Sequence, residues 1–371
     1  MDLTIERNDF VEAVAWAVRA LPARPPVMIL NGLLLETTSA GLRISGFDYE
    51  TSARGTADAT VAVEGRTVVA GKLLNDIAKA MPSGPVRLVL DSSRLQVTGG
   101  PARFVLPTMD PAEFPAMPDL PDMTGTVSGP EFASAVAAVV FAAARDASVP
   151  ALTGVHVTAA DDELVLAATD RYRLAVRRLP WHPADSEPHT VLIPAKVLAD
   201  AAKAMGSVAE ISMSLDSDGV FAVATSTRSL TTRLLEGQFP DYEKLLPKIE
   251  DLPAPAVIPI GELVDTVKRV RLVVDDRKPI AIRLSSGVVL LEGGGGEDAA
   301  SSERVECDYS GEDVTISFNP GYFLEALGSL DSDVVVLHVT TATRPALLTG
   351  KTNGEVEAGH RVLVMPMRVN G

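Results

Sequence analysis

The sequence predicts an α+β protein built as three copies of one unit of about 123 residues. Three recurring segments support this: an amphipathic helix start, a strand pair with a turn, and a second helix rich in alanine and lysine. Two of them return at nearly one offset, and the full length of 371 residues is three such offsets. Solenoid repeats run only about 33–34 residues, so a repeat this long is a domain in its own right.

The helix start comes first. Phe10-Val11-Glu12-Ala13-Val14 reads F-x-x-A-V, as does Phe132-Ala133-Ser134-Ala135-Val136 a further 122 residues on. Leu263-Val264-Asp265-Thr266-Val267 is a weaker third copy. Apolar residues at i, i+1 and i+4 give a helix one buried stripe. The strand pair follows. Gly32, ahead of Leu33-Leu34-Leu35, corresponds to Gly154, ahead of Val155-His156-Val157. A turn and a strand come next in GLRISGFDYETSA (41–53) and ELVLAATDRYRLAV (163–176), with Asp48 and Asp170 again 122 apart. Gly287-Val288-Val289-Leu290 matches Gly41 two offsets later. The second helix is VAGKLLNDIAKAMP (69–82), repeated as IPAKVLADAAKAMG (193–206), with FNPGYFLEALGSL (318–330) in the third place. Each unit reads helix, strands, helix, strands. Proline-rich joints at 114–123 and 246–257 set the expected domains at 1–122, 123–250 and 251–371, since proline stiffens connections.

The composition is that of a folded globular chain, 46% hydrophobic and 22% charged. Aromatic residues are only 5%, so Ala, Val and Leu must fill the core. No apolar run reaches the ~18–20 residues of a membrane span. The opening MDLTIERND is charged from its second residue, unlike a secretory signal. A single cysteine, Cys307, excludes an internal disulfide and fits a reducing cytoplasm. The five histidines (156, 182, 188, 338, 360) are too scattered for a zinc site. The net charge of −16 argues against simple nucleic-acid binding through an overall basic surface.

Catalytic motifs are missing. Gly293–Gly296 lacks the dinucleotide fingerprint and reads as a flexible hairpin loop, with Glu297 and Asp298 after it to repel phosphate. Gly350-Lys351-Thr352 ends like a phosphate loop, but Pro345 stands where the first glycine is needed. There is no G-x-S-x-G elbow, and Asp161-Asp162-Glu163 reads as a solvated turn. The chain is expected not to be an enzyme and to need no cofactor or metal.

Three equal α+β units, the ATDRYRLAV and EGQFPDYEKLLP segments and the C-terminal VMPMR together resemble the bacterial beta sliding clamp family, the beta subunit of DNA polymerase III. The resemblance runs from Leu3 to Val369. It implies three clamp domains with helices lining a pore and antiparallel sheets outside. It also implies a head-to-tail homodimeric ring around double-stranded DNA, held without sequence specificity. The ring would tether the polymerase catalytic subunit, the clamp loader and other clients for processive synthesis. A weakly basic hole inside an acidic ring answers the charge objection. An alternative within the same fold is a specialised copy that confers resistance to a clamp-binding antibiotic through an altered groove.

The resemblance also implies sites. Clients carrying a glutamine followed by apolar residues would bind a groove formed by Thr169, Arg171, Tyr172, Arg173, Leu174, Pro240, Leu245, Pro345, Leu363, Met365, Pro366, Met367 and Arg368. Arg171 and Tyr172 are positioned to gate it. Arg24, Lys72, Lys79, Lys196 and Lys203 would face DNA; in each second helix the two lysines are seven apart, on one face. The third copy has Tyr322 and Ser329 there, and the helix expected near 263–278 offers Lys268, Arg269 and Arg271 instead. Ser148-Val149-Pro150-Ala151 stands where relatives can carry tyrosines, so an aromatic DNA contact is lost. Phe104 and Leu106 on one side and Leu272, Val273 and Val274 on the other would form the dimer contact.

Overall fold

The computed structural model describes residues 1–215, 219–275, 278–295 and 299–368. The six α-helices among them are α1 (Arg7–Ala17), α2 (Gly71–Ala80), α3 (Gly129–Val140), α4 (Ala195–Met205), α5 (Ile260–Val270) and α6 (Pro320–Gly328). They fall two to a repeat, at the expected places. The repeated unit has one element more than the sequence reading gave it. Short strands Asp2–Glu6, Gly125–Ser128 and Ala256–Pro259 precede α1, α3 and α5. At four or five residues they are too short for a visible alternation.

The helices bury what their periodicity dictates. Helix α2 turns Leu74, Ile77 and Ala78 inward, and α5 turns Leu263, Thr266, Val267 and Val270 inward. Helix α6 opens with Pro320, and the Asn319 side chain accepts hydrogen bonds from Gly321 N (2.9 Å) and Tyr322 N (3.1 Å), a proper N-cap. Helix α5 ends at Val270 and passes into a single 3₁₀ turn, Arg271–Val273, so the expected 263–278 helix is shorter than its basic residues suggested.

Each strand–turn segment of the sequence is a hairpin. Gly41–Phe47 pairs with Thr51–Ala57 across Asp48, and Glu163–Thr169 pairs with Arg173–Pro180 across Asp170. Asp161 begins the turn between strands Gly154–Ala160 and Glu163–Thr169, as read. The glycine run differs from its expectation. Gly293 and Gly294 are strand residues paired with Ser301 and Ala300, and Glu297 and Asp298 lie outside the described residues. Glycine is required at 293 because a Cβ there would stand 2.6 Å from Val274 Cγ2 and 2.9 Å from Val270 Cγ1.

The chain forms two compact units. The first comprises Met1–Gly129, His182–Glu187 and Ser207–Leu234; the second comprises Pro130–Trp181, Pro188–Gly206 and Leu235–Gly371. The middle repeat therefore contributes strands to both. In the first unit Arg228–Arg233 pairs antiparallel with Thr51–Ala57. Hydroxyl pairs Thr51–Thr232 (3.0 Å) and Ser52–Thr231 (2.7 Å) and the Trp16 Nε1–Ser229 carbonyl bond (3.0 Å) hold this junction. In the second unit Arg173–Pro180 pairs with His360–Val364, extending one antiparallel sheet from the middle repeat into the last. Edge strands left unpaired invite aggregation, and pairing repeat with repeat removes four of them.

Candidate functional site

The Asp170 turn carries most of the chemistry of the second unit. Asp170 Oδ1 accepts from Tyr172 N and Arg173 N, both at 3.0 Å. The Thr169 hydroxyl donates to the Arg173 carbonyl (2.7 Å) and accepts from Arg171 N (3.1 Å). Arg171 adopts φ 77°, a left-handed conformation that a non-glycine side chain tolerates only in a tightly held turn.

Arg173 is 3% exposed and fully engaged. Its Nε donates to Asp170 Oδ2 at 3.1 Å, and Nη1 pairs with Glu325, which also accepts from Arg145 at 2.7 Å. The guanidinium lies 4.6 Å from the Tyr322 ring centroid and 5.3 Å from that of Phe141. A buried arginine is stable only with this kind of double carboxylate and aromatic packing. Tyr322 in turn stacks against Tyr172, with centroids 5.9 Å apart and rings at 27°. Burial pushes the Tyr322 phenol above its ordinary pKa. Tyr172 itself is 59% exposed. Tyr172 and Tyr322 wall a hollow of about 540 Å³ that Leu152, Val149 and Asn319 also line.

The C-terminal segment runs along this turn. Leu174 and Leu363 are register partners, Met365 N donates to the Tyr172 carbonyl at 2.8 Å, and Met367 N to the Ser317 carbonyl at 2.8 Å. Met365 remains exposed. Beneath the junction, Leu174, Leu363, Leu347, Val176 and Tyr242 form one apolar cluster, packed over by Phe239 and Leu246. His156 stacks on Phe239 (centroids 5.0 Å, 18°) and meets Tyr242 edge-on, and burial lowers its pKa. This anchors the 239–246 segment, from which Leu245 projects into solvent.

The expected groove residues thus divide. Tyr172, Leu245 and Met365 offer exposed apolar surface, while Pro240, Pro345, Pro366 and Met367 are half-buried around them. Thr169, Arg173, Leu174 and Leu363 are buried and support the surface rather than present it. Arg171 lines the Tyr172 hollow, and Arg368 is exposed. Sequence reasoning did not assign Tyr322, Glu325, Phe141 or Leu347 here. In the sequence Tyr322 stands out only as the absence of a lysine, and nothing in its local pattern reports that it packs on Tyr172, 150 positions away.

Of the other expected residues, Arg24, Lys72, Lys79, Lys196 and Lys203 are all exposed. Lys196 makes an i,i+4 pair with Asp200 at 3.3 Å, and Arg269 is committed to Glu303 at 2.8 Å. Leu272 is 82% exposed, with Val273 and Val274 half-buried behind it. Phe104 and Leu106 face inward on strand Ala102–Met109. Leu106 is 1% exposed in the first unit's core, with Phe104 packed against it. Phe104 itself is only half-buried, and alternation turns Val105 outward between the two.

Tandem α+β repeats with two helices apiece on antiparallel sheets, ending in a docked apolar tail, define a clamp-type protein. Family models for the DNA polymerase III beta subunit match throughout: the N-terminal domain at residues 1–118, the central domain at 126–241 and the C-terminal domain at 243–368. The chain belongs to this family, the sliding clamps of DNA polymerase III. It is 43% identical to the beta sliding clamp of Streptomyces coelicolor over the whole of both chains. It is 36% identical to the beta sliding clamp homolog GriR of Streptomyces muensis over 99% of each. Its fold matches the Pseudomonas aeruginosa sliding clamp crystallised with griselimycin, with a TM-score of 0.92, 24% identity and full coverage of both chains.

Proposed function

We propose that two copies of this chain close head to tail into a ring around duplex DNA, and that the exposed junction at Tyr172, Leu245 and Met365 takes the peptide by which clients are tethered. The clients are the polymerase catalytic subunit, the clamp loader and other proteins carrying a glutamine followed by apolar residues. The observation that carries this reading is the hydrogen bond from Met365 N to the Tyr172 carbonyl, which ties an apolar tail to an aromatic turn. Tails otherwise fray, and exposed Met and Tyr beside an apolar floor suit extended peptides of varied sequence.

The repeats act as domains 1–122, 123–250 and 251–371. Heterologous contacts close into a ring when the rotation per contact permits. The exposed Leu272, with Val273 and Val274, supplies one face of that contact, and the strand segment of Phe104 and Leu106, with half-buried Phe104 and exposed Val105, the other. Arg24, Lys72, Lys79, Lys196 and Lys203 meet phosphates, a contact without sequence information that leaves the ring free to slide. Tethering by topology requires no catalytic residue in this chain, and the work belongs to the cytoplasm, where DNA is copied.

Fluorescence polarisation with a labelled client peptide tests the groove. The full chain should bind at about micromolar Kd, or about −8 kcal/mol. A chain ending at Val364 should lose most of that affinity. Equal binding by both would remove the tail from the site. No binding by the full chain would favour the second reading, a specialised copy with an altered groove, which the resemblance to GriR at 36% identity supports less well than the 43% to the Streptomyces coelicolor clamp supports the first.

A further inference from the structure

A second hollow, of about 380 Å³, opens on the same sheet face as the apolar cluster, walled by Arg178, Arg361, Glu163, Val176 and Leu246. Its relation to the groove follows from register. Leu174 pairs with Leu363, and Val176 with Arg361, two residues along. Alternation puts Leu174, Val176 and Arg178 on one face, and Leu363 and Arg361 with them. At about 3.3 Å per residue, Arg178 lies some 13 Å along the strand from Leu174. The 3₁₀ turn Glu243–Leu245 leads directly into Leu246, which packs on the apolar cluster. Leu245 projects into solvent and Leu246, the next residue, lines the hollow, so groove and hollow share one ridge.

The charge of the hollow is unusual for this chain. It holds two guanidiniums and one carboxylate, net positive in a protein of net charge −16. Arg178 is paired with Glu163. Arg361 donates through Nε to the Ala358 carbonyl at 3.2 Å and has no ion-pair partner among the described residues. A guanidinium held by its Nε beside an apolar wall presents its two terminal nitrogens as a fork, the geometry that takes a carboxylate.

We propose that this hollow binds an acidic side chain of the same client peptide, Arg361 receiving an Asp or Glu carboxylate that flanks the apolar motif. The inference rests on the groove reading. Its partner is an extended acidic-flanked peptide, selected by charge against a surface that otherwise repels acid.

The test uses the full-length chain and three labelled peptides: a core of glutamine and apolar residues, and that core with three glutamates appended at its N-terminus or at its C-terminus. Polarisation titrations compare the chain with Arg361→Ala and with Arg304→Ala, which removes an equal charge outside the hollow. One of the two acidic peptides should bind about fivefold tighter than the core at low salt. Arg361→Ala should abolish that gain and leave core binding unchanged, and Arg304→Ala should preserve it. No gain with either acidic peptide, or a gain that survives Arg361→Ala, overturns the proposal. If the core alone fails to bind while an acidic peptide binds in an Arg361-dependent way, the groove reading falls and the hollow stands; if none binds, both fall.

Discussion

Asp48 and Asp170, 122 residues apart in sequence, do the same work in two hairpins. Asp48 accepts from Glu50 N (3.0 Å) and Thr51 N (2.6 Å), and Asp170 from Tyr172 N and Arg173 N (both 3.0 Å). The residue after each, Tyr49 and Arg171, sits at φ 77°. The turns differ most at the third residue after the aspartate. Position 51 is a threonine, but position 173 is a buried arginine that leans on its own aspartate.

That difference separates two substitutions. Asp48→Ala removes turn hydrogen bonds and should cost about 1 kcal/mol. Asp170→Ala also strips a carboxylate from a buried guanidinium and should cost about 2–4 kcal/mol. Urea midpoints of the two variants check this; equal shifts would mean that Glu325 alone satisfies Arg173.

Tyr172→Ala should weaken a client peptide by about tenfold, since it removes exposed aromatic surface stacked on Tyr322. Tyr172→Phe keeps the stack and should bind within about twofold of the unaltered chain. Polarisation titrations of both variants read this directly. Unchanged affinity for Tyr172→Ala would exclude both a contact and a gating role.

His360 is 1% exposed, and burial holds its pKa down at about 4 against 6.5 for a free imidazole. Between those values the unfolded chain binds a proton that the folded chain refuses. Stability therefore falls as pH drops from about 6.5 towards 4, by about 2 kcal/mol at pH 4.5 from this group. His360→Gln cannot titrate. Its urea midpoint should fall less than that of the unaltered chain between pH 7 and 4.5.

Leu272→Asp places a charge on the most exposed large apolar side chain among the described residues. If Leu272 lies in the dimer contact, the variant should elute as a monomer with its melting temperature preserved. Light scattering after size exclusion checks the mass, and a persistent dimer would move the contact elsewhere. Gly293→Ala should reach the same end indirectly, because its Cβ would push Val270 and Val274 and shift the segment that carries Leu272. It should also cost about 1–3 kcal/mol in stability.

The repeat, the six helices and the hairpin turns were legible in the sequence because each depends on spacings within one segment. The lysines at 72, 79, 196 and 203 follow from the 3.6-residue period and are exposed as it requires. The same period could not say that α5 stops at Val270, where the chain passes into a 3₁₀ turn close to Gly293.

What the tertiary structure alone decided is which residues meet across long separations. Alternation put Phe104 and Leu106 on one face but could not say that Leu106 is wholly buried while Phe104 stays half-exposed. Strand pairing split the middle repeat between two sheets, and it brought Leu363 beside Leu174 and Tyr172 over Tyr322. Arg173 was expected among the groove residues, yet it is buried beneath them, because Asp170, Glu325 and two aromatic rings from distant segments converge on it. Local chemistry determines the elements; burial and backbone pairing between elements far apart in sequence determine the site.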